Sequence, residues 1–407
     1  MTRKRATHAW TFKPRFRRQA FGWRSQPAIQ RIREAVSEIK KVARTDLVLA
    51  GEGAVVFFER VSPALENIDS SSGAIGTAVN HAIEELAAII AQAPGDAAMR
   101  DGWLERLWDA CAQDDIPYLE GVGGHWGELC GLPDVASRWA DELLPLLRMA
   151  WSPDPERRGY FKGTSHCLSA LLAAGRHEEL LQLLEAAPFR WWHDRQYGVK
   201  ALSAMGRPAE AIQYAEESRG LNDNPAAIAH ACEGILFASG RGDEAYARYG
   251  LLANRAGTNL AWFRAVVRKY PNKHPIDILA DLAKLTPGEE GKWFAAAKDA
   301  GLYNEALALA RQSPCDPRTL ARAARDFAET QPAFAVEAGL ASLHWLTRGY
   351  GYEITTADVS SAYAETLRAA ERLGTVDETR ERIRQLLAND SSIGQIVTTV
   401  LAHGLGF

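Results

Sequence analysis

The sequence predicts an all-α chain in which stacked helical hairpins follow a less regular helical region. Three observations predict it. A glycine recurs with apolar residues at fixed offsets on both sides of it. Outside that pattern, apolar residues still fall at helical spacing. No segment shows sustained two-residue alternation with β-branched residues. Of the 407 residues, 47% are hydrophobic and 24% charged, enough apolar content to bury a sizeable core.

The first element is a basic aromatic arm, residues 1–24. Residues 1–33 hold ten Lys/Arg and no acidic residue, which leaves 37 basic against 51 acidic residues in the remainder and a balance of −14. The net charge of −4 therefore joins a basic arm to an acidic body, an asymmetry that points to a polyanion, a membrane surface, an acidic partner or a targeting peptide. The arm interleaves aromatics with Arg3, Lys4, Arg5, Lys13, Arg15, Arg17, Arg18 and Arg24. Trp10 and Trp23 are the candidates for stacking on nucleic-acid bases beside those cations. The same residues could grip an acidic protein or fold back on the acidic body.

Residues 25–150 read as an irregular helical region. "PAIQRIREAVSEIKKVA", "GTAVNHAIEELAAIIAQA", "MRDGWLERLWDACAQ" and "DVASRWADELLPLLRMAW" each carry apolar residues at helical spacing. "WSPDPERRGY" breaks the pattern with prolines and charges and is the expected boundary.

Residues 151–388 carry the repeat. Gly175, Gly206, Gly240 and Gly301 are each followed four residues later by glutamate (Glu179, Glu210, Glu244, Glu305) and then by Leu180, Ala211, Ala245 or Ala306. Four residues before the glycine stand Leu171, Leu202, Leu236 and Ala297; nine after it stand Leu184, Ala215, Tyr249 and Ala310. One amphipathic helix should end at the glycine in a left-handed C′ conformation, and a second should begin with the glutamate in its first turn. A degenerate unit is expected with its turn at Tyr270–Pro275. Another is expected with Phe334 and Ala335 in the Glu and Ala places, and a last one at Gly374 and Glu378.

A period of 31–34 residues with glycine in the turn and alanine five residues later resembles tetratricopeptide repeats, over roughly residues 155–388. Gly206 with Ala211, Gly240 with Ala245 and Gly301 with Ala306 carry the resemblance. The family's helix-A tryptophan and tyrosine are not regularly present. The resemblance implies a TPR-like α-solenoid that binds partners on a concave face, and no catalytic residues. Residues 389–407 are expected to form a capping or docking helix, with Ile393, Ile396, Val397, Val400 and Leu401 on one face.

The candidate sites are few. "FRWWHDRQYG" and "LHWLTRGYGYE" are rich in the residues enriched at binding hot spots: Trp191, Trp192 and Arg195, with Trp345, Arg348, Tyr350 and Tyr352, for which ordinary inter-repeat packing is the other reading beside a peptide or nucleic-acid contact surface. "GVGGHWGELCG" (121–131) is read as an interhelical loop, with a ligand-contacting loop as the alternative. "DSSSGAIGTAV" (69–79) is read as a helix start and not an anion site. Cys167 and Cys232, beside His166 and His230, fall at an apolar position eight residues before their repeat glycines and are read as core. The five cysteines are sparse, odd in number and without a C-x-x-C, which fits a reducing, cytoplasmic setting. No run of eighteen apolar residues marks a membrane span. No metal set, cofactor or nucleophile–base pair can be named, so the expected class is a non-enzymatic scaffold for a protein or peptide. A nucleic-acid-associated protein is the alternative, and an enzyme with a site near 121–131 ranks last.

Overall fold

The computed structural model describes residues 8–220, 224–388, 397 and 399–402; Arg3, Lys4, Arg5, Ile393 and Ile396 lie outside them. The described residues are all-α, with no strand among them. The chain divides into two compact units, Met1–Arg241 and Gly242–Phe407, so the division falls just past the third repeat turn.

The first unit opens with α1 (Ser25–Ala43), α2 (Leu47–Leu65), α3 (Ala74–Gln92) and α4 (Ala97–Ala112), then the short α5 (Trp126–Cys130) and α6 (Pro133–Ala150). Hairpins follow: α7 (Thr164–Ala173) with α8 (His177–Glu185), and α9 (Trp192–Ala204) with α10 (Pro208–Glu216). α11 (Pro225–Ala238) closes the unit. One core runs from Trp10 to Ala201, so the segment 151–160 is a loop inside this unit. At its centre α2 is buried along most of its length. Burying Phe57 and Phe58 contributes about 2–3 kcal/mol each. α3 is long and apolar enough to cross a membrane, but Ile75, Val79, Ile83, Leu86 and Ile90 are spent on this core. Buried Arg100 donates to the carbonyls of Ile90, Ala91 and Ala93, and so satisfies the C-terminal end of α3.

The second unit begins with α12 (Gly242–Ala245), which passes through a π-helical turn into α13 (Leu251–Ala253). α14 (Asn259–Lys269) pairs with α15 (Pro275–Lys284), and α16 (Phe294–Asp299) with α17 (Tyr303–Gln312). α18 (Pro317–Phe327) pairs with α19 (Pro332–Thr347), and α20 (Thr356–Leu373) with α21 (Val376–Ala388). α19 is buried on nearly every side, which accounts for its apolar composition all round. Val397 and Leu401 are buried in the same core as Ile383, and Val400 packs against it, which places these three residues on the last hairpin.

The repeat geometry is as the spacing predicts. Gly301 has φ +72°, its N–H bonds the Lys298 carbonyl at 3.1 Å, and the Leu302 N–H bonds the Ala297 carbonyl at 3.0 Å. This is the paired 6→1 and 5→2 arrangement that ends a helix on a left-handed residue. Gly175, Gly206, Gly240 and Gly374 repeat it. Leu171, Leu180, Leu202, Ala211, Leu236, Ala245, Ala297 and Ala306 are all buried. The degenerate turns also appear: α14 ends before Tyr270, and Pro275 opens α15.

Candidate partner-binding groove

Within the first unit, α9 and α11 run parallel on either side of the return helix α10, and a groove of about 860 Å³ lies along them. From α9 it takes Trp192, Gln196, Val199, Lys200 and Ser203, at the spacing of one helix face. From α11 it takes Ala227, Ala231, Gly234 and Ala238, a stripe of small residues at the same spacing, with His230 and Ile235 beside it. The small stripe keeps the groove open. The wider α9 residues give it an aromatic end and a cation. Lys200 is exposed, lies 5.5 Å from the Tyr197 ring and forms no ion pair with the described residues. His230 is 71% exposed, its ring 3.9 Å from the buried carboxylate of Glu233.

The residues before α9 form a shelf. Phe189 and Trp191 are both about half exposed and stack with ring centres 4.8 Å apart and planes 12° from parallel. Trp191 is the N-cap of α9 and Trp192 its first residue, so the shelf adjoins the aromatic end of the groove. Two of the sequence candidates, Trp191 and Trp192, therefore stand at one site.

Arg195 does not join them. It is buried, with its guanidinium 3.6 Å from the centre of the Tyr214 ring and its Nε donating to Ser218 Oγ at 2.7 Å. Its place in the apolar seam between α9 and α10 makes it a packing residue, which corrects its assignment as a partner contact. Asp194 beside it is also buried. Desolvation raises its carboxyl to about 6, against the opposing pull of His193 at 3.2 Å.

The second-unit candidates divide in the same way. Trp345 is buried, and its indole N–H donates to the Ala310 carbonyl at 2.7 Å, so it packs the core and touches no partner, a second correction. Arg348, Tyr350 and Tyr352 are exposed around the left-handed Gly349 turn after α19, with Tyr350 edge-on to Trp345 at 5.1 Å.

The arm is part of the first unit. Trp10, Phe12 and Phe16 are buried, and Phe12 and Phe16 pack edge-on against Phe57 of α2. Thr11 donates to Glu38 through its amide and its hydroxyl; Arg15 pairs with Glu34 at 3.2 Å and Arg18 with Glu66 at 3.0 Å. The Arg18 hydrogen bond holds the Glu66 carboxyl below its usual range. Trp10 is thus unavailable for stacking on bases, which corrects its assignment: burial against α2 gains more for three aromatic rings than exposure would. Trp23 is 71% exposed, and Lys13, Arg17 and Arg24 form no ion pair with the described residues.

The remaining candidates are structural. Gly123 and Gly127 of the glycine-rich loop face α7 at close range: a Cβ on Gly127 would lie 2.4 Å from the Ser169 carbonyl oxygen, and one on Gly123 2.7 Å from His166 Nδ1. Close helix packing accounts for glycine at both places. Cys167 and Cys232 are buried, and burial pushes the Cys167 thiol up to about 12, which keeps it from acting as a thiolate nucleophile near neutral pH. Among the described residues no three His, Cys, Asp or Glu converge as a metal set would.

No family model matches the chain, and no curated protein matches it. Among solved structures it is similar to a chain in the crystal structure of the APC/C hetero-tetramer Cut9-Hcn1, at 11% sequence identity and a TM-score of 0.26, over 94% of this chain and 76% of that one. A likeness at that level adds nothing to the fold, which rests on the helices and turns described above.

Sequence reasoning passed over Gln196, Lys200 and the small-residue stripe of α11. The signal was present as two helical-period rows about one repeat apart, but only the pairing of α9 with α11 turns those rows into facing walls.

Proposed function

We propose that this chain is a helical-repeat scaffold that holds a segment of a protein partner in the groove between α9 and α11. The observation that carries the reading is the small-residue stripe Ala227, Ala231, Gly234 and Ala238 facing Trp192, Val199 and the exposed Lys200. A segment that fits has apolar side chains to cover the stripe and a carboxylate to meet Lys200. Trp191 and Phe189 extend the apolar surface at one end, where aromatic side chains contribute most to affinity.

The test is selection of binders from a random peptide display library of about 12 residues, followed by anisotropy titration of synthetic copies. Selected peptides should pair apolar residues with at least one acidic one. Ala231→Trp, which fills the groove, should weaken them about tenfold or more. Lys200→Glu should shift the selection toward basic peptides. Peptides that bind the Ala231→Trp protein as well as the wild type would remove this groove as the site.

A further inference from the structure

A second groove lies at the other end of the first unit. α1 and α3 run parallel, since Gln26 and Ala74 flank one end and Lys40 pairs with Glu85 toward the other. The groove between them encloses about 920 Å³. Its α1 wall is Arg33, Ser37, Lys40, Lys41 and Arg44, one face of a helix over about 16 Å. Its α3 wall is small: Ala74, Ala78 and Ala82, with Thr77 and His81. Buried Ile29, Ile32 and Val36 lie along its base.

The charge of this wall is unbalanced. Arg33, Lys41 and Arg44 are exposed and form no ion pair with the described residues, among which only Lys40 of the four cations meets a carboxylate. Other cations of this region do pair: Arg15 and Arg31 share Glu34, and Arg18 meets Glu66. Three exposed cations in one row stand out on a chain whose net charge is −4. Self-association through this row would bring like charges together, so its complement is an acidic surface.

We infer that the α1/α3 groove is a docking site for an acidic amphipathic helix of a protein partner. Three features favour a helix over a nucleic-acid strand. The alanines at 74, 78 and 82 form a shallow groove into which the ridge of a third helix packs. The cations stand at 33, 40, 41 and 44 on one helix face, so carboxylates at i, i+7, i+8 and i+11 of a partner helix meet them in register. No Phe, Trp or Tyr lines the groove, whereas strand-binding grooves pair their cations with aromatic rings for the bases. This site is separate from the α9/α11 groove and does not depend on it.

The experiment uses the full chain and a labelled, Ala-rich helical peptide of about 15 residues with glutamates at that spacing beside a Leu/Ala face. Its controls are the same peptide with lysine for glutamate, and oligo-dT of about 15 nucleotides. The acidic peptide should bind, and the lysine peptide should not. Binding should weaken about tenfold or more in K41E/R44E, less in K41Q/R44Q, and remain unchanged in A231W. The melting temperatures of the two charge variants should stay close to wild type, because both side chains are exposed. No binding of the acidic peptide, or equal binding by K41E/R44E, overturns the inference. Oligo-dT binding tighter than the peptide and lost in K41E/R44E also overturns it, in favour of a nucleic-acid groove.

Discussion

The groove between α9 and α11 and the cleft between α18 and α20 occupy the same place in their hairpin arrays, between the first helices of successive pairs, yet they differ in what fills them. The first encloses about 860 Å³ and is walled on one side by alanine and glycine. The second encloses about 300 Å³ and is lined by Arg318, Arg322 and Arg325 of α18. Arg318 crosses that cleft to Asp358 in a bidentate pair at 2.7 and 2.9 Å, and Arg368 of α20 reaches the Arg325 carbonyl at 2.9 Å. The hairpin pattern creates a groove between successive first helices. Four or five residues on the facing sides then decide whether it stays open or is latched. An open groove is available to a partner, whereas a latched one stiffens the array.

Acid should act on a buried histidine of the first unit, and this gives the largest expected effect. His166 in the first unit is buried against Trp108 and Trp126, neither ring nitrogen has a protein hydrogen-bond partner, and desolvation lowers its pKa from 6.5 to about 3. Between those values the unfolded chain binds the proton and the folded chain does not. The stability held above pH 6.5 is therefore lost as pH falls toward 3, at up to about 1.4 kcal/mol per pH unit. Asp194 opposes this, because its raised carboxyl takes up a proton in the folded state first. The clean measurement is thus a difference. His166→Phe should gain on wild type by about 3 kcal/mol between neutral pH and about pH 4 in denaturant melts. A difference independent of pH would mean that His166 is solvated.

The latch itself gives the next effect. Asp358 accepts from the Thr355 amide at 2.9 Å and hydroxyl at 2.7 Å in a capping box, besides pairing with Arg318, and these bonds hold its carboxyl well below the usual range. Asp358→Ala removes both the cap and the latch and should cost about 1–2 kcal/mol. Lys200→Ala in the open groove should change stability by less than about 0.5 kcal/mol. Equal losses from the two substitutions, read from urea melts, would erase the distinction between the grooves.

The hairpins were legible in the sequence because their signal is local. A glycine, the apolar residue four before it and the alanine five after it lie within one turn and its flanking helices. α2 does not stand out in the same way, because Gly51 and Gly53 read as helix breakers. Their reason is tertiary: a Cβ on Gly51 would lie 2.7 Å from the Trp103 ring, and one on Gly53 2.2 Å from that of Trp10. The arm shows the same limit. Composition distinguishes neither Trp10, which is buried, from Trp23, which is exposed, nor Arg18, which pairs with Glu66, from Arg17, which pairs with none of the described residues. Of the candidate site, Trp191 and Trp192 were visible as an aromatic cluster. Lys200 and the α11 stripe acquire meaning only from a contact some thirty residues apart in sequence, and Arg195 and Trp345 look like surface residues until their burial is seen.

The smallest effect tests whether the two arrays share one turn despite their different grooves. Gly206 in the first unit and Gly301 in the second have φ of +74° and +72°, and in both a Cβ would meet no atom within 4 Å. Space is therefore not what requires glycine; the left-handed backbone is. Gly206→Ala and Gly301→Ala should each cost about 1 kcal/mol, the penalty for placing a Cβ in that conformation. The two losses should agree closely, since neither turn has packing of its own to disturb. Urea melts of the two variants check this. A much larger loss at either position would show that its Cβ meets an atom the open space does not reveal. No loss at Gly301 would mean that the helix there does not end on a left-handed residue, and the repeat reading would fail at the turn where its geometry is most complete.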